Sequence, residues 1–207
     1  MRRWDIKRSE RAGGAALLTA LFVLLAVLII GVSAAQTALN AEKSARNERD
    51  RHIAFQGAEA GLLDAERDIE GGADPASARA ALFGAGSALG FADGCGRGSD
   101  NVNLGLCVYT PQAPAWQAAE LAQPGGAVTP YGKFTGAALP VGGGTLPASA
   151  PRYIIELMPL VRAGEDAGRR ATNLYRITAI GFGVRPTTQV VLQEFYRKVA
   201  PAEGGVP

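Results

Sequence analysis

The stretch AALLTALFVLLAVLIIGVSAA, residues 15–35, holds 21 residues without a charge and is dominated by Leu, Val, Ile and Ala. At 1.5 Å rise per residue a helix of that length reaches about 30 Å, the thickness of a bilayer's hydrocarbon core. Apart from a closed barrel, only a helix satisfies its own backbone polar groups in that medium, so a membrane-spanning helix is expected here. Thr19 and Ser33 are compatible with it, because a helical hydroxyl can bond back to a carbonyl one turn earlier. A buried core helix is the competing reading, but an uncharged run this long already lies in the transmembrane range.

On the N-terminal side, residues 1–14 read MRRWDIKRSERAGG, with Arg2, Arg3, Lys7, Arg8 and Arg11 against Asp5 and Glu10. A short basic flank stays on the cytoplasmic side, which sends the rest of the chain across the membrane. A secretory signal peptide also begins with a charged region, but its apolar core is about 7–15 residues, shorter than this one. Ser33-Ala34-Ala35 nevertheless supplies small residues where such a signal is cut. A second processing signal is Gly13-Gly14, between the basic flank and the apolar run. Cleavage after Gly14 would remove the flank and leave Ala15 at the head of an apolar helix.

On the C-terminal side, the first proline is Pro75, and nothing before it must break a helix. The run QTALNAEKSARNERDRHIAFQGAEAGLLDAERDIEGG is rich in strong helix formers. Ile53, Ala54, Ala58, Leu62, Ala65 and Ile69 recur at helical spacing, so the helix is expected to continue to about residue 70 and become amphipathic. Glu48, Arg49, Asp50, Arg51, Glu59, Asp64, Glu66 and Arg67 are assigned to the solvated side, and Gly71-Gly72 is the stop. Gly31, Gly57 and Gly61 are places where it can bend. His52, the single histidine, reads as a solvated side chain.

With 27 Gly, 12 Pro and a formal charge of +2, the chain has no basic patch for nucleic acid. Beyond the leader and span there is enough chain for one domain. Gly and Pro concentrate between residues 71 and 150, where little regular structure is expected. A short helix over residues 75–83 is predicted, with Asp74 as N-cap and Pro75 in the first turn. Trp116, Tyr131 and Phe134 are expected to pin the segment to the core. Asp100, Asn101 and Asn103 lie close together but lack the full calcium-loop pattern, so a turn is the better reading. Cys95 and Cys107 both lie beyond the span, and in an oxidising compartment they read as a disulfide. Their spacing does not suit zinc.

Three strands are expected at the C-terminal end, residues 152–157, 173–182 and 188–199, with residues 162–170 as a polar loop. In the second, Leu174, Arg176, Thr178 and Ile180 share one face and Tyr175, Ile177 and Ala179 the other. In the third, Val191, Phe195 and Val199 are set against Gln193 and Arg197. The turn at Gly183-Val184-Arg185-Pro186 makes an antiparallel hairpin of the last two. The sheet's one apolar face then needs a cover, and the amphipathic helix is the candidate. The fold class expected is α+β: a long N-terminal helix, membrane-spanning in its first half, packed on a C-terminal antiparallel sheet. Its divisions are 1–14 leader, 15–35 span, 36–70 amphipathic helix, 71–150 loops with the disulfide, 151–200 sheet and 201–207 tail.

The glycine before the span, with the leader it ends, resembles the class III leader of type IV pilins and pseudopilins. That resemblance implies cleavage between Gly14 and Ala15 by a prepilin peptidase. Most pilins carry Glu at the position held here by Thr19. GAALLTALFVLLAVLIIGVSAAQTA, NERDRHIAFQGAEAGLLDAE, GLC with PAWQ, RYIIEL, YRITAIGFG and VVLQEFYRK together are similar to the PilX family of minor type IV pilins. The resemblance implies a subunit that joins other minor pilins and the major pilin through its helix. It also implies a role in priming pilus assembly at the inner membrane, and a place in a tip complex beneath a large adhesin. The missing acid at Thr19 fits a subunit at the filament's end. A pseudopilin of a type II secretion system has the same architecture, and a bitopic protein with an extracytoplasmic ligand-binding domain is a third reading. No catalytic constellation, phosphate loop or cofactor motif is found, so neither an enzyme nor a cofactor is expected.

Overall fold

The computed structural model describes residues 13–84, 87–158 and 173–198. The basic residues of the leader, the polar loop at 162–170 and the tail at 201–207 lie outside them. The first element is a single helix, α1, Gly13–Glu70. It runs unbroken through Gly31, Gly57 and Gly61. The chain forms two compact units, divided between Asn47 and Glu48.

In the first unit α1 is apolar on every side over residues 15–35 and then turns polar, with Glu42 paired to Arg46. In the second, Ala54, Ala58, Leu62, Ala65 and Ile69 are buried, as the helical spacing required. Gly71 and Gly72 end the helix with φ of 125° and 63°, and the Gly72 amide donates to the Arg67 carbonyl at 2.8 Å.

After α1 come a short helix α2 (Ala78–Leu82), β1 (Leu106–Val108), a one-turn helix α3 (Ala115–Ala118), β2 (Thr129–Pro130), β3 (Arg152–Met158), β4 (Leu174–Phe182) and β5 (Gln189–Arg197). The N-cap of α2 is Ser77, whose hydroxyl accepts from the Ala80 amide at 3.1 Å, rather than Asp74. Asp74 instead closes a turn by accepting from the Ala76 amide at 2.9 Å.

The sheet order is β1-β3-β4-β5, with β2 also paired to β3. β3–β4 and β4–β5 are antiparallel, in registers that set Ile155 against Ile177 and Ile177 against Glu194. β1 lies parallel to β3, with Leu106 opposite Ile155, so the sheet is mixed rather than wholly antiparallel. A three-residue strand carries no readable period, which is why β1 was hidden in the loop region.

Both faces of the sheet are covered at β3 and β4, where one was expected. On the first, Tyr153, Ile155, Tyr175, Ile177 and Ala179 pack with Leu62, Ala65 and Ile69 of α1 and with Phe83 and Leu106. On the second, Ile154, Ile180 and Phe182 pack with Cys95, Cys107, Ala115, Ala119, Leu121, Ala127 and Val128. The Gly/Pro-rich middle therefore supplies the second cover.

Tyr131 and Phe134 are half-buried, but Trp116 is 36% exposed and does not anchor its segment. In β5 the expected opposition of Val191 and Phe195 to Gln193 and Arg197 does not occur. All four sit at odd positions, so a period of two puts them on one face, and that face is exposed.

α1 crosses β4 closely because both carry small residues there. A Cβ on Gly61 would lie 3.1 Å from the Ala179 Cβ and 3.2 Å from the Pro151 Cβ. A Cβ on Gly181 would run into the Ala54 carbonyl and the Ala58 amide. Gly57 and Gly61 are thus packing positions.

Candidate functional site

Two features of α1 have the chemistry of assembly: an apolar first half and a set of carboxylates in the second. In the first half, twelve large apolar side chains from Leu17 to Val32 are each more than half exposed. The most apolar part has a mean hydropathy of 3.0, and none of it is buried. A helix apolar on all sides is stable only in lipid or among other apolar helices. The Thr19 hydroxyl donates to the Ala16 carbonyl at 2.9 Å, and Thr37 donates to the Ser33 carbonyl at 3.0 Å. These polar groups are therefore satisfied within the helix. Gly14 and Ala15 both lie in α1, near its start.

In the second half, three carboxylates bind the rest of the domain to the helix. Asp50 accepts from the Thr188 hydroxyl, the Val184 amide and the Arg185 side chain, and so holds the β4–β5 turn. Burial works against its charged form, but these hydrogen bonds together hold Asp50 below the ordinary aspartate value. Asp64 accepts from the Gly132 amide at 2.7 Å and from the Thr135 hydroxyl. There burial prevails, and its carboxyl sits above the ordinary value.

Asp68 is fully buried and receives two nitrogens of Arg79, one at 2.6 Å, and the Tyr153 hydroxyl at 3.0 Å. Arg79 also donates to the Val102 and Leu104 carbonyls and lies 4.1 Å over the Phe134 ring. The sequence reading set Asp50 and Asp64 on the solvated side, which the structure corrects. Their partners lie 134 and 68 residues further along the chain. Only the capacity of a carboxylate to satisfy backbone donors hints at this in the sequence.

On the far face of the sheet Glu156 is buried and forms a two-point pair with Arg176, both contacts at 2.7 Å. It also accepts from the Ala115 amide at 3.2 Å, which seats α3. Cys95 and Cys107 are joined as a disulfide that ties the preceding loop to β1. His52 is exposed and lies 3.2 Å from the Gln56 side chain. Asn101 accepts from the Asn103 amide at 2.9 Å, which is a turn. Among the described residues no group of three or more His, Cys, Asp or Glu side chains is gathered as a metal would need.

The family model for the PilX N-terminal region matches residues 12–63. The model described as type IV pilus assembly protein PilX C-term matches residues 86–198. Comparison with the curated proteins and with the solved structures gives no match. The two matched regions take in the apolar helix, the carboxylates Asp50 on α1 and Glu156 on β3, the disulfide and the whole sheet. On these grounds the chain belongs to the PilX family of type IV pilus assembly proteins.

Proposed function

We propose that this chain is a minor pilin that helps prime the pilus at the inner membrane and stays in the tip complex. In this reading the basic leader remains cytoplasmic until a prepilin peptidase cuts between Gly14 and Ala15. The carboxyl-terminal domain lies on the extracytoplasmic side, where the Cys95–Cys107 bond is formed. Other minor pilins and the major pilin are the partners of α1, and a large adhesin sits above the complex. The domain is a structural part and performs no catalysis.

The observation that carries the reading is the uncovered, all-round apolar half of α1, with a mean hydropathy of 3.0 and none of it buried. Such a surface needs an apolar neighbourhood and no particular one, so it can pass from lipid to a bundle of sister helices. Membership of a pilus assembly family supports pilins as the source of those helices. A photo-crosslinking residue placed at Leu24 tests this in cells. The proposal expects adducts with other pilins and a sharp fall in pilus number when the chain is deleted. Normal piliation in the deletion strain, with no pilin adducts, would overturn it.

A further inference from the structure

β5 ends the sheet, with β4 on one side and, among the described residues, no strand on the other. All nine of its residues pair with β4 in one continuous register, without a bulge. The Gly183 amide donates to the Thr188 carbonyl at 2.8 Å, which extends that register by one hydrogen-bonded pair. Such pairs alternate along an antiparallel ladder. The even-numbered residues of β5 therefore turn their backbone N–H and C=O groups to β4. The odd-numbered ones, from Gln189 to Arg197, turn theirs outward. Natural sheets blunt such an edge with proline, lysine, a bulge, a cover or an inward-pointing charge. The strand QVVLQEFYR has neither proline nor lysine, and its one inward charge is Glu194.

The two faces of this edge differ in chemistry. On the outer face Val191 is 46% and Phe195 64% exposed. On the face toward α1 the charge is negative. Glu194 lies there, opposite Ile177 in the register, and its Oε1 is enclosed without a hydrogen-bond donor. Glu70 of α1 reaches the same strand, accepting from the Tyr196 hydroxyl at 2.8 Å. Lys198, just past the strand, is committed to the Ile69 carbonyl at 2.6 Å, and Arg197 stands on the outer face. Burial first, and the charge of Glu66 second, push the Glu194 carboxyl up to about 7, the direction of an acid that lacks a cation.

We propose that the free edge of β5 is a docking strand for an extended segment of another protein, one that alternates basic and aliphatic side chains. The outward N–H and C=O groups of the odd-numbered residues supply the ladder. Side chains of directly opposite residues share a face of a sheet. Partner residues opposite Val191 and Phe195 therefore stand on the outer face, where aliphatic groups cover the exposed apolar surface. Those opposite Leu192, Glu194 and Tyr196 stand on the α1 side, where a lysine or arginine supplies the cation that Glu194 lacks and faces Glu70 as well. The surface uses none of the apolar half of α1, so the pairing does not depend on what that half meets.

Amide hydrogen exchange read residue by residue on the full chain in detergent micelles tests the docking, in mildly alkaline solution where Glu194 is ionised. The probes are two synthetic peptides of equal length, one alternating Lys with Val and the other Glu with Val. The Lys–Val peptide should protect the amides of Val191, Gln193 and Phe195, while the even-numbered amides, already bonded to β4, stay as they were. The Glu–Val peptide should bind about fivefold more weakly, the most that one cross-strand charge pair is worth. Glu194→Lys should abolish or reverse that preference. Gln193→Pro removes an outward donor and spares the β4 ladder, and it should abolish the protection while the even-numbered amides stay slow. Odd-numbered amides that exchange as fast with the Lys–Val peptide as without it would overturn the proposal. So would equal binding of the two peptides to the wild type, or an unchanged preference in Glu194→Lys.

Discussion

Asp68 is the residue on which most of the domain's polar interior depends. It is fully buried, yet three donors surround it, two from Arg79 and one from Tyr153. The carboxylate lies among the charges and dipoles it needs, and Arg79 in turn satisfies two carbonyls of the loop before β1. Removing one partner of a buried pair strands the other in an apolar setting, at a cost of about 3–5 kcal/mol. Asp68→Ala is expected to lower the unfolding free energy of the domain by that amount in a urea titration. Glu42→Ala is expected to change little, since Glu42 pairs with Arg46 on the exposed helix surface.

Asp50 responds to acid in the usual carboxylate direction. Its folded value lies below 3.8, so the stability it contributes is present above the unfolded value and lost as the pH falls through the folded one. The wild-type domain is expected to lose stability below about pH 4, and Asp50→Asn to flatten that part of the profile. Circular dichroism across pH 2–5 measures it. Asp64, raised by burial, works with the opposite sign and cannot account for such a loss.

At the scale of elements, the meeting of α1 with β4 is controlled by what is missing from side chains. Gly57, Gly61 and Gly181 let backbone approach backbone. Gly181→Ala should cost about 1–3 kcal/mol through overpacking, read as a lowered thermal midpoint. The disulfide acts on a different element, closing the loop that leads into β1. Changing Cys95 and Cys107 together to Ser should cost about 3 kcal/mol in the chain-entropy view, measured by denaturant unfolding under oxidising conditions.

These elements also show what the sequence made legible. The apolar stripe of α1 and the alternation of β4 were readable because each has the period of its own backbone. Gly57 and Gly61 read only as places where the helix can bend, because a glycine looks the same in sequence whether it loosens a helix or lets a strand come close. Asp50, Asp64 and Asp68 were illegible as anchors, since their partners are set by tertiary contact and not by spacing. β1 and β2, of three and two residues, are too short to show any pattern, so the parallel edge of the sheet and its second cover could be found only in the structure.

For the whole molecule, the helix unites two environments in one element. From Leu17 to Val32 it is an exposed apolar surface, and from Glu48 it belongs to the domain and carries part of its core. Both faces of β3 and β4 are covered, and the helix is pinned by three carboxylates to separate segments. The first half is left as the part whose free energy depends on partners. In the proposed function, a subunit stored in lipid and then built into a filament needs this division, because its surroundings change while its domain must not.

The most direct test is the mass of the chain's N-terminus in cells with and without prepilin peptidase. The account predicts a mature chain beginning at Ala15 when the peptidase is present, and the uncut leader when it is absent. A chain that keeps its leader in both strains, or that is cut after Ala35 in both, would contradict it.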